Sequence, residues 1–111
     1  MIEVGEYIRT SNGIIAKLER IKSELRYKYW ANNGECYTEK AIKKHSFNII
    51  DLIKEGDYIN GHRIVNEIYG EDDNELYFEI EGGFNKADYI SEKDIKSIVT
   101  KEQFKNTEYV I

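Results

Sequence analysis

The chain has 111 residues, of which 41% are apolar, and it carries a formal net charge of −5. This apolar content predicts a folded core, while no apolar run approaches the roughly 18 residues of a membrane span and no signal-peptide pattern follows Met1. The single cysteine, Cys36, cannot form an internal disulfide, and the two histidines fit no familiar zinc pattern. We therefore expect a soluble cytoplasmic protein without a metal ion or another cofactor.

Three segments of the first half return in the second half at nearly constant spacing. The offsets are 51, 51 and 53 residues, and such regular self-similarity predicts two copies of one structural unit. The clearest repeat is Gly-acid-Tyr-Ile, which begins at Gly5 and at Gly56. The predicted domains are residues 1–53 and 54–111. The paired segments are 4–8 with 55–59, 24–27 with 75–78, and 38–43 with 91–96.

Each copy is predicted to open with a short strand and a hairpin. Asn12-Gly13 and Asn60-Gly61 precede apolar residues, and both residue types tolerate the positive φ of tight turns. The residues from Leu25 to Trp30 alternate cleanly between two faces, which predicts the third strand of the first copy. The further predicted strands are 14–18, 35–37 and 47–53 in the first copy, and 64–68, 76–80, 86–90 and 95–99 in the second.

Short helical elements and a shared core complete the predicted fold. Thr38 and Ser91 are placed to cap a single helical or 3₁₀ turn before the last strand of each copy. Thr100 is placed to cap a short C-terminal helix. The aligned apolar positions predict matched core residues in the two copies. These pairs are Ile8 with Ile59, Ile15 with Val65, Leu18 with Ile68, and Ile42 with Ile95.

The order of elements, opened by Gly-acid-Tyr-Ile, resembles that of a small SH3-like barrel occurring twice. This resemblance implies a mainly β fold of two tandem SH3-like units related by internal duplication. The segments 49–61 and 94–104 also resemble small uncharacterised proteins from phages and prophages of Firmicutes. The second resemblance implies an accessory gene of a mobile element, acting in the cytoplasm of the host cell, and supplies no catalytic residue.

The charges are divided unevenly between the copies. Residues 1–52 carry nine Lys and Arg against seven Asp and Glu, a balance of +2, whereas residues 53–111 carry seven against fourteen, a balance of −7. An acidic run at a predicted hairpin tip could imitate the phosphates of a nucleic acid, or it could simply be solvated. The candidate partner-binding residues are Glu71, Asp72, Asp73, Glu75, Glu79 and Glu81.

A basic and aromatic face in the first copy is the alternative binding surface. Trp30 falls beside cations on its predicted strand and could stack on a base, or it could be buried between the copies. Two lysines before His45 form the most basic segment of the chain. The residues of this alternative face are Arg26, Lys28, Trp30, Lys43 and Lys44.

The sequence shows no assembled catalytic set, so we expect a binding protein and not an enzyme. The preferred hypothesis is an inhibitor of a host defence nuclease, comparable to an anti-CRISPR protein, that covers a nucleic-acid-binding host protein with its acidic surface. One alternative is a nucleic-acid-binding regulator that uses the basic face. Another is a sponge that holds a small signalling nucleotide. Direct nucleic-acid binding is the less favoured contact, no membrane contact is expected, and oligomerisation is left open.

Overall fold

The computed structural model describes residues 1–61, 63–70, 75–81, 87–104 and 107–111. Over these ranges the chain is mainly β and divides into two compact units, Met1–Leu52 and Ile53–Ile111, each containing an antiparallel sheet.

The first unit is built from an antiparallel meander and a returning strand. Its strands are β1 (Tyr7–Thr10), β2 (Ile15–Ile21), β3 (Tyr29–Ala31), β4 (Cys36–Tyr37) and β5 (Ile42–Ser46). Their order across the sheet is β4-β3-β2-β1-β5, so β5 returns to pair with β1. A 3₁₀ turn at Glu39–Ala41 joins β4 to β5, and another at Ile49–Leu52 follows β5.

The second unit repeats this order of elements and adds a strand at its end. Its strands are β6 (Tyr58–Ile59), β7 (Arg63–Gly70), β8 (Leu76–Glu81), β9 (Ala87–Ser91), β10 (Ser97–Val99) and β11 (Tyr109–Val110). The sheet order is β11-β10-β6-β7-β8-β9. As in the first unit, 3₁₀ turns stand before and after the returning strand, at Glu92–Asp94 and Lys101–Gln103.

The repeated Gly-acid-Tyr-Ile segment closes a turn ahead of the first strand of each unit. Gly5 and Gly56 have φ values of 95° and 93°, a backbone conformation that residues with a Cβ atom rarely adopt. The carboxylates of Glu6 and Asp57 each accept a hydrogen bond from the backbone N–H three positions earlier, at 2.6 and 2.8 Å. The repeated motif is therefore explained by local structure.

The register of the second strand corrects two predicted matches between the copies, Ile15 with Val65 and Leu18 with Ile68. Gly5 N–H donates to Leu18 O at 2.9 Å, and Gly56 N–H donates to Val65 O at 2.8 Å. A β-bulge follows at once in both strands. Val65 therefore occupies the position of Leu18 and not that of Ile15, because the connected positions lie 13 residues apart in the first unit and only 9 in the second.

The strand predicted over residues 25–30 is wrong for most of its length. Strand β3 covers Tyr29–Ala31, and the preceding residues form a turn closed by a 2.8 Å hydrogen bond from Lys22 N–H to Lys28 O. Leu25 and Tyr27, which the alternation places on one face of the predicted strand, are 40% and 50% exposed. The alternation is present in the sequence, but the backbone groups of this segment bond to each other across the turn.

The strand predicted over residues 47–53 is also wrong, because β5 precedes it and a 3₁₀ turn at Ile49–Leu52 takes its place. Polar side chains explain the difference. The Ser46 hydroxyl accepts from Asn48 N–H at 3.1 Å and donates to Asp51 Oδ2 at 2.6 Å. Such local side-chain bonds compete with a sheet ladder and favour a turn.

The described residues form a 3₁₀ turn and a strand where a C-terminal helix was predicted. The turn is Lys101–Gln103, and β11 lies beyond it. Lys101 N–H donates to Asp57 Oδ1 at 3.0 Å, and the Tyr109 hydroxyl donates to Gln103 Oε1 at 2.7 Å. The first bond attaches the 3₁₀ turn to Asp57, and the second attaches β11 to the 3₁₀ turn. The segment is therefore a turn and a strand held against the second unit, and not a continuous helix.

Most of the predicted core positions are buried. Ile8 and Ile59 are fully buried at matched places in β1 and β6. Phe78, which was not among the predicted positions, is also fully buried in β8. Among the other predicted positions, Ile42 and Ile68 are half-buried. The remaining predicted positions are buried, with exposures of 5% or less: Ile15, Leu18, Val65 and Ile95.

Candidate interaction surfaces

The outer face of β7, β8 and β9 gathers carboxylates and tyrosines into neighbouring rows. Glu67 pairs with Glu79, which pairs in turn with Tyr89, and Tyr69 pairs with Tyr77 in the next row. Side chains two residues apart on a strand, or directly opposite across strands, share one face. We call these five residues the acidic-aromatic face.

Hydrogen bonds within the acidic-aromatic face hold its carboxylates on either side of a tyrosine. The Tyr69 hydroxyl lies against Glu67 Oε2 and 3.1 Å from Glu79 Oε2. The hydrogen bond to Glu67 is the main cause that raises the pKa of Tyr69, so this hydroxyl keeps its proton. The protonated hydroxyl of Tyr69 therefore lies between the two carboxylates as a neutral donor.

The aromatic rings of this face remain open to solvent. Tyr69 is 39% exposed and Tyr89 is 61% exposed, and their ring centroids lie 6.1 Å apart at an angle of 53°. Exposed ring faces beside carboxylates attract guanidinium and ammonium groups, because a cation meets both the ring quadrupole and a negative charge. The face is chemically suited to arginine or lysine side chains.

The other predicted acidic residues have different surroundings. Glu75 is held locally, since its Oε1 accepts from the Ser91 hydroxyl and lies 3.7 Å from Lys93 Nζ. Glu81 is exposed at the end of β8. Glu71, Asp72 and Asp73 lie outside the described residues. The structure thus places Glu79 on the acidic-aromatic face and Glu75 at its border, where Glu75 Oε2 accepts a hydrogen bond from the Tyr77 hydroxyl at 3.4 Å.

The alternative basic face divides into separate parts. Arg26 and Lys28 line a cavity of about 340 Å³ together with Thr38, Glu39 and Lys40. We call these five residues the basic cavity. The Glu39 carboxylate also accepts a hydrogen bond from the Tyr29 hydroxyl at 3.3 Å. The cavity thus combines three cationic side chains, a hydroxyl and one carboxylate that has a partner within the unit.

Trp30 and the two lysines of the basic face lie elsewhere. The Trp30 indole N–H donates to Tyr27 O at 3.0 Å, and Lys22 Nζ stands 4.3 Å from the centre of its ring system. Trp30 is therefore half-buried under a cation of its own unit. Lys43 and Lys44 are exposed on β5 and do not line the basic cavity.

The side chains that could bind a metal ion or act in catalysis do not form such a site among the described residues, and His45 instead contacts a carboxylate of its own unit. Among the described residues, no group of three or more His, Cys, Asp and Glu side chains could hold a metal ion. His45 Nδ1 lies 2.9 Å from Glu6 Oε1. Burial alone would raise the pKa of the Glu6 carboxyl, but the His45 and Glu3 hydrogen bonds outweigh it and the pKa is lowered. This interaction stabilises the fold at neutral pH and is lost as the pH falls through that lowered pKa.

Sequence reasoning missed most of the acidic-aromatic face. Tyr69 was not a candidate because the predicted strand ended at Ile68, whereas β7 continues to Gly70. Glu67 and Tyr89 lay within predicted strands but were not singled out. The signal that could have found them is the alternation that places Glu67 and Tyr69 two residues apart. Their partners on β8 and β9 depend on register, which that pattern does not contain.

Comparison with protein families, curated proteins and solved structures finds no significant match to this chain. In the described residues, no helix has both the length and the apolar character needed to cross a membrane.

Proposed function

We propose that this chain is a non-catalytic binding protein whose acidic-aromatic face contacts a positively charged surface of a partner protein. The observation that carries the proposal is the placement of Glu67 and Glu79 beside the exposed rings of Tyr69 and Tyr89. A surface of this kind provides two anionic contacts and two faces for cation–π contact. Large aromatic side chains are also enriched where proteins bind each other.

The balance of −7 in residues 53–111 supports the same partner class. Complementary charge steers two proteins together, whereas like charge repels a phosphate backbone. A protein that binds nucleic acid presents lysine and arginine to phosphates and therefore offers the matching surface. The concrete form of the proposal is a phage-encoded inhibitor that occupies the nucleic-acid site of a host defence nuclease.

We further propose that the two units are SH3-like barrels that arose by duplication. The proposal is supported by the recurring strand order, by the matched turn before the first strand, and by the matched bulge in the second strand. A bulge in a long strand bends it sharply, which is how one strand can serve two halves of a small barrel.

The acidic-aromatic face is tested with a fluorescein-labelled nona-arginine peptide as the probe. Replacing Glu67 and Glu79 by glutamine should weaken binding about fivefold to tenfold at low salt, since two charge contacts and their cation–π neighbours act together. The salt dependence of binding should also become shallower. Fluorescence anisotropy titrations at two salt concentrations measure both effects.

The matched control removes the same charge from the first unit. Glu19 and Glu24 are exposed, and their double glutamine variant has the same net charge as the face variant. We expect this control to change the affinity for nona-arginine by less than about twofold. Equal losses in the two variants would show that only net charge matters and would contradict the proposed face.

A second candidate function rests on the basic cavity. Its volume of about 340 Å³ suits a small ligand, and its three cations and hydroxyl suit a phosphate group. If the cavity holds a nucleotide, ADP should raise the melting temperature and adenosine should not, because a ligand of the native state stabilises it. Differential scanning fluorimetry measures both shifts.

The cavity variant replaces Arg26 and Lys28 by glutamine and should abolish the shift with ADP. Its control replaces Lys43 and Lys44, which are equally cationic and exposed on β5. The control variant should keep the shift. A shift that survives in the cavity variant, or that disappears in the control, would contradict a phosphate site in the basic cavity.

A further inference from the structure

The returning strands of the two units differ in what lies beside them. In the second unit, β10 pairs with β6 on one side and with β11 on the other. In the first unit, β5 pairs with β1 and is the last strand of its sheet among the described residues. An edge strand offers backbone donors and acceptors to another chain. The first unit therefore has an edge where the second unit has an added strand.

The registers show which residues of β5 and β10 correspond. Tyr7 pairs with Ser46, and Tyr58 pairs with Val99. Since Tyr7 and Tyr58 both follow the turn-closing carboxylate, Ser46 matches Val99. Counting back two residues on each strand matches Lys44 with Ser97.

The contacts of β11 show what the β10 edge accepts. Ile111 N–H donates to Lys96 O at 2.8 Å, which is a backbone contact. The Ser97 hydroxyl donates to Glu108 Oε2 at 3.0 Å, so an acidic side chain lies at the start of the added strand. The segment 108–111 is thus an extended stretch in which a glutamate precedes three apolar or aromatic residues.

We propose that the β5 edge is a docking site for an extended segment of a partner protein that carries an acidic side chain within reach of Lys44, as Glu108 is within reach of Ser97. When an added strand binds in this way, backbone hydrogen bonds supply the affinity and side-chain contacts supply the specificity. At the position where Ser97 donates to a carboxylate in the second unit, the first unit has an exposed ammonium group.

This site is separate from the proposed function. It lies in the first unit, it selects an acidic segment where the acidic-aromatic face selects a basic one, and its probe does not involve Glu67 or Glu79. Either proposal can fail while the other stands.

The probe is an acetylated peptide with the sequence of residues 107–111, Thr-Glu-Tyr-Val-Ile, added to the ¹⁵N-labelled full chain. Saturable chemical-shift changes and slowed amide exchange are expected at residues 42–46. Changes confined to residues 97–99 would mean that the peptide displaces β11 from its own strand, and they would overturn the proposal. Absence of saturable changes up to millimolar peptide would overturn it as well.

Charge exchange tests the register. Lys44→Glu should weaken peptide binding at least about tenfold, and a peptide with lysine in place of its glutamate should restore it. Lys17→Glu changes the net charge equally at an exposed position of β2, outside the β5 edge, and should have a smaller effect. Equal effects of the two variants without rescue would overturn the proposal.

A modified peptide tests the backbone contact. Methylation of the peptide nitrogen at the isoleucine removes the donor that corresponds to Ile111 N–H and should abolish binding. Unchanged affinity of the methylated peptide would exclude strand addition.

Discussion

Truncating Ile59 to alanine is expected to lower the free energy of unfolding by about 2–5 kcal/mol. Ile59 is fully buried and lies in β6, between β7 and β10. Removing its side chain leaves a cavity that the surrounding strands can close only in part, because β6 is bonded on both sides. So small a unit has few other apolar contacts to compensate for the loss.

Urea denaturation of Ile59→Ala measures this cost, and Ile8→Ala provides the matched variant in the first unit. Ile8 is equally buried at the corresponding position of β1, so a loss of similar size is expected. Val110→Ala is the control, because Val110 is 77% exposed and should change stability by less than about 0.5 kcal/mol. An Ile59→Ala variant as stable as this control would contradict the described core.

Replacing Asp57 by alanine is expected to lower the free energy of unfolding by about 2–4 kcal/mol, because two backbone N–H donors lose their acceptor. The fully buried carboxylate accepts from Lys54 N–H at 2.8 Å and from Lys101 N–H at 3.0 Å. It therefore joins the turn before β6 to the 3₁₀ turn after β10.

Asp57→Asn separates the loss of hydrogen bonds from the loss of volume. The amide keeps one acceptor oxygen, so we expect Asp57→Asn to lower the free energy of unfolding by less than Asp57→Ala does. Urea denaturation measures both losses. Asp94→Ala serves as the control, because Asp94 is exposed and its side chain can be removed at little cost. If Asp57→Ala were no more costly than Asp94→Ala, the role of the turn-closing carboxylate would be refuted.

The parts of the fold that could be predicted depend on local backbone chemistry. Asn60 and Gly61 adopt φ values of 53° and 97°, as their predicted turn requires. The Ser91 side chain accepts from Lys93 N–H at the start of its predicted 3₁₀ turn. Thr38 makes no side-chain cap at the matched position, although the turn is present. In these places a few neighbouring residues decide the conformation, so the sequence pattern is sufficient.

The parts that could not be predicted depend on which strands meet. Leu25 and Tyr27 alternate as a strand would, yet alternation cannot show whether an apolar face finds a partner. The register of β7 depends on a bulge after Val65 and on the length of the preceding hairpin. A shift in either would move Glu67 away from Glu79, so the acidic-aromatic face is a property of the sheet and cannot be derived from one strand.

Lys43 and Lys44 also affect how copies of this chain meet each other at high concentration. Two β5 edges that approached as antiparallel strands would bring lysines of both copies close together, and like charges across strands are unfavourable. Lysine on an edge is one way in which natural sheets avoid joining into aggregates. The edge that we propose as a docking site for an acidic segment is therefore unfavourable for pairing with its own copy.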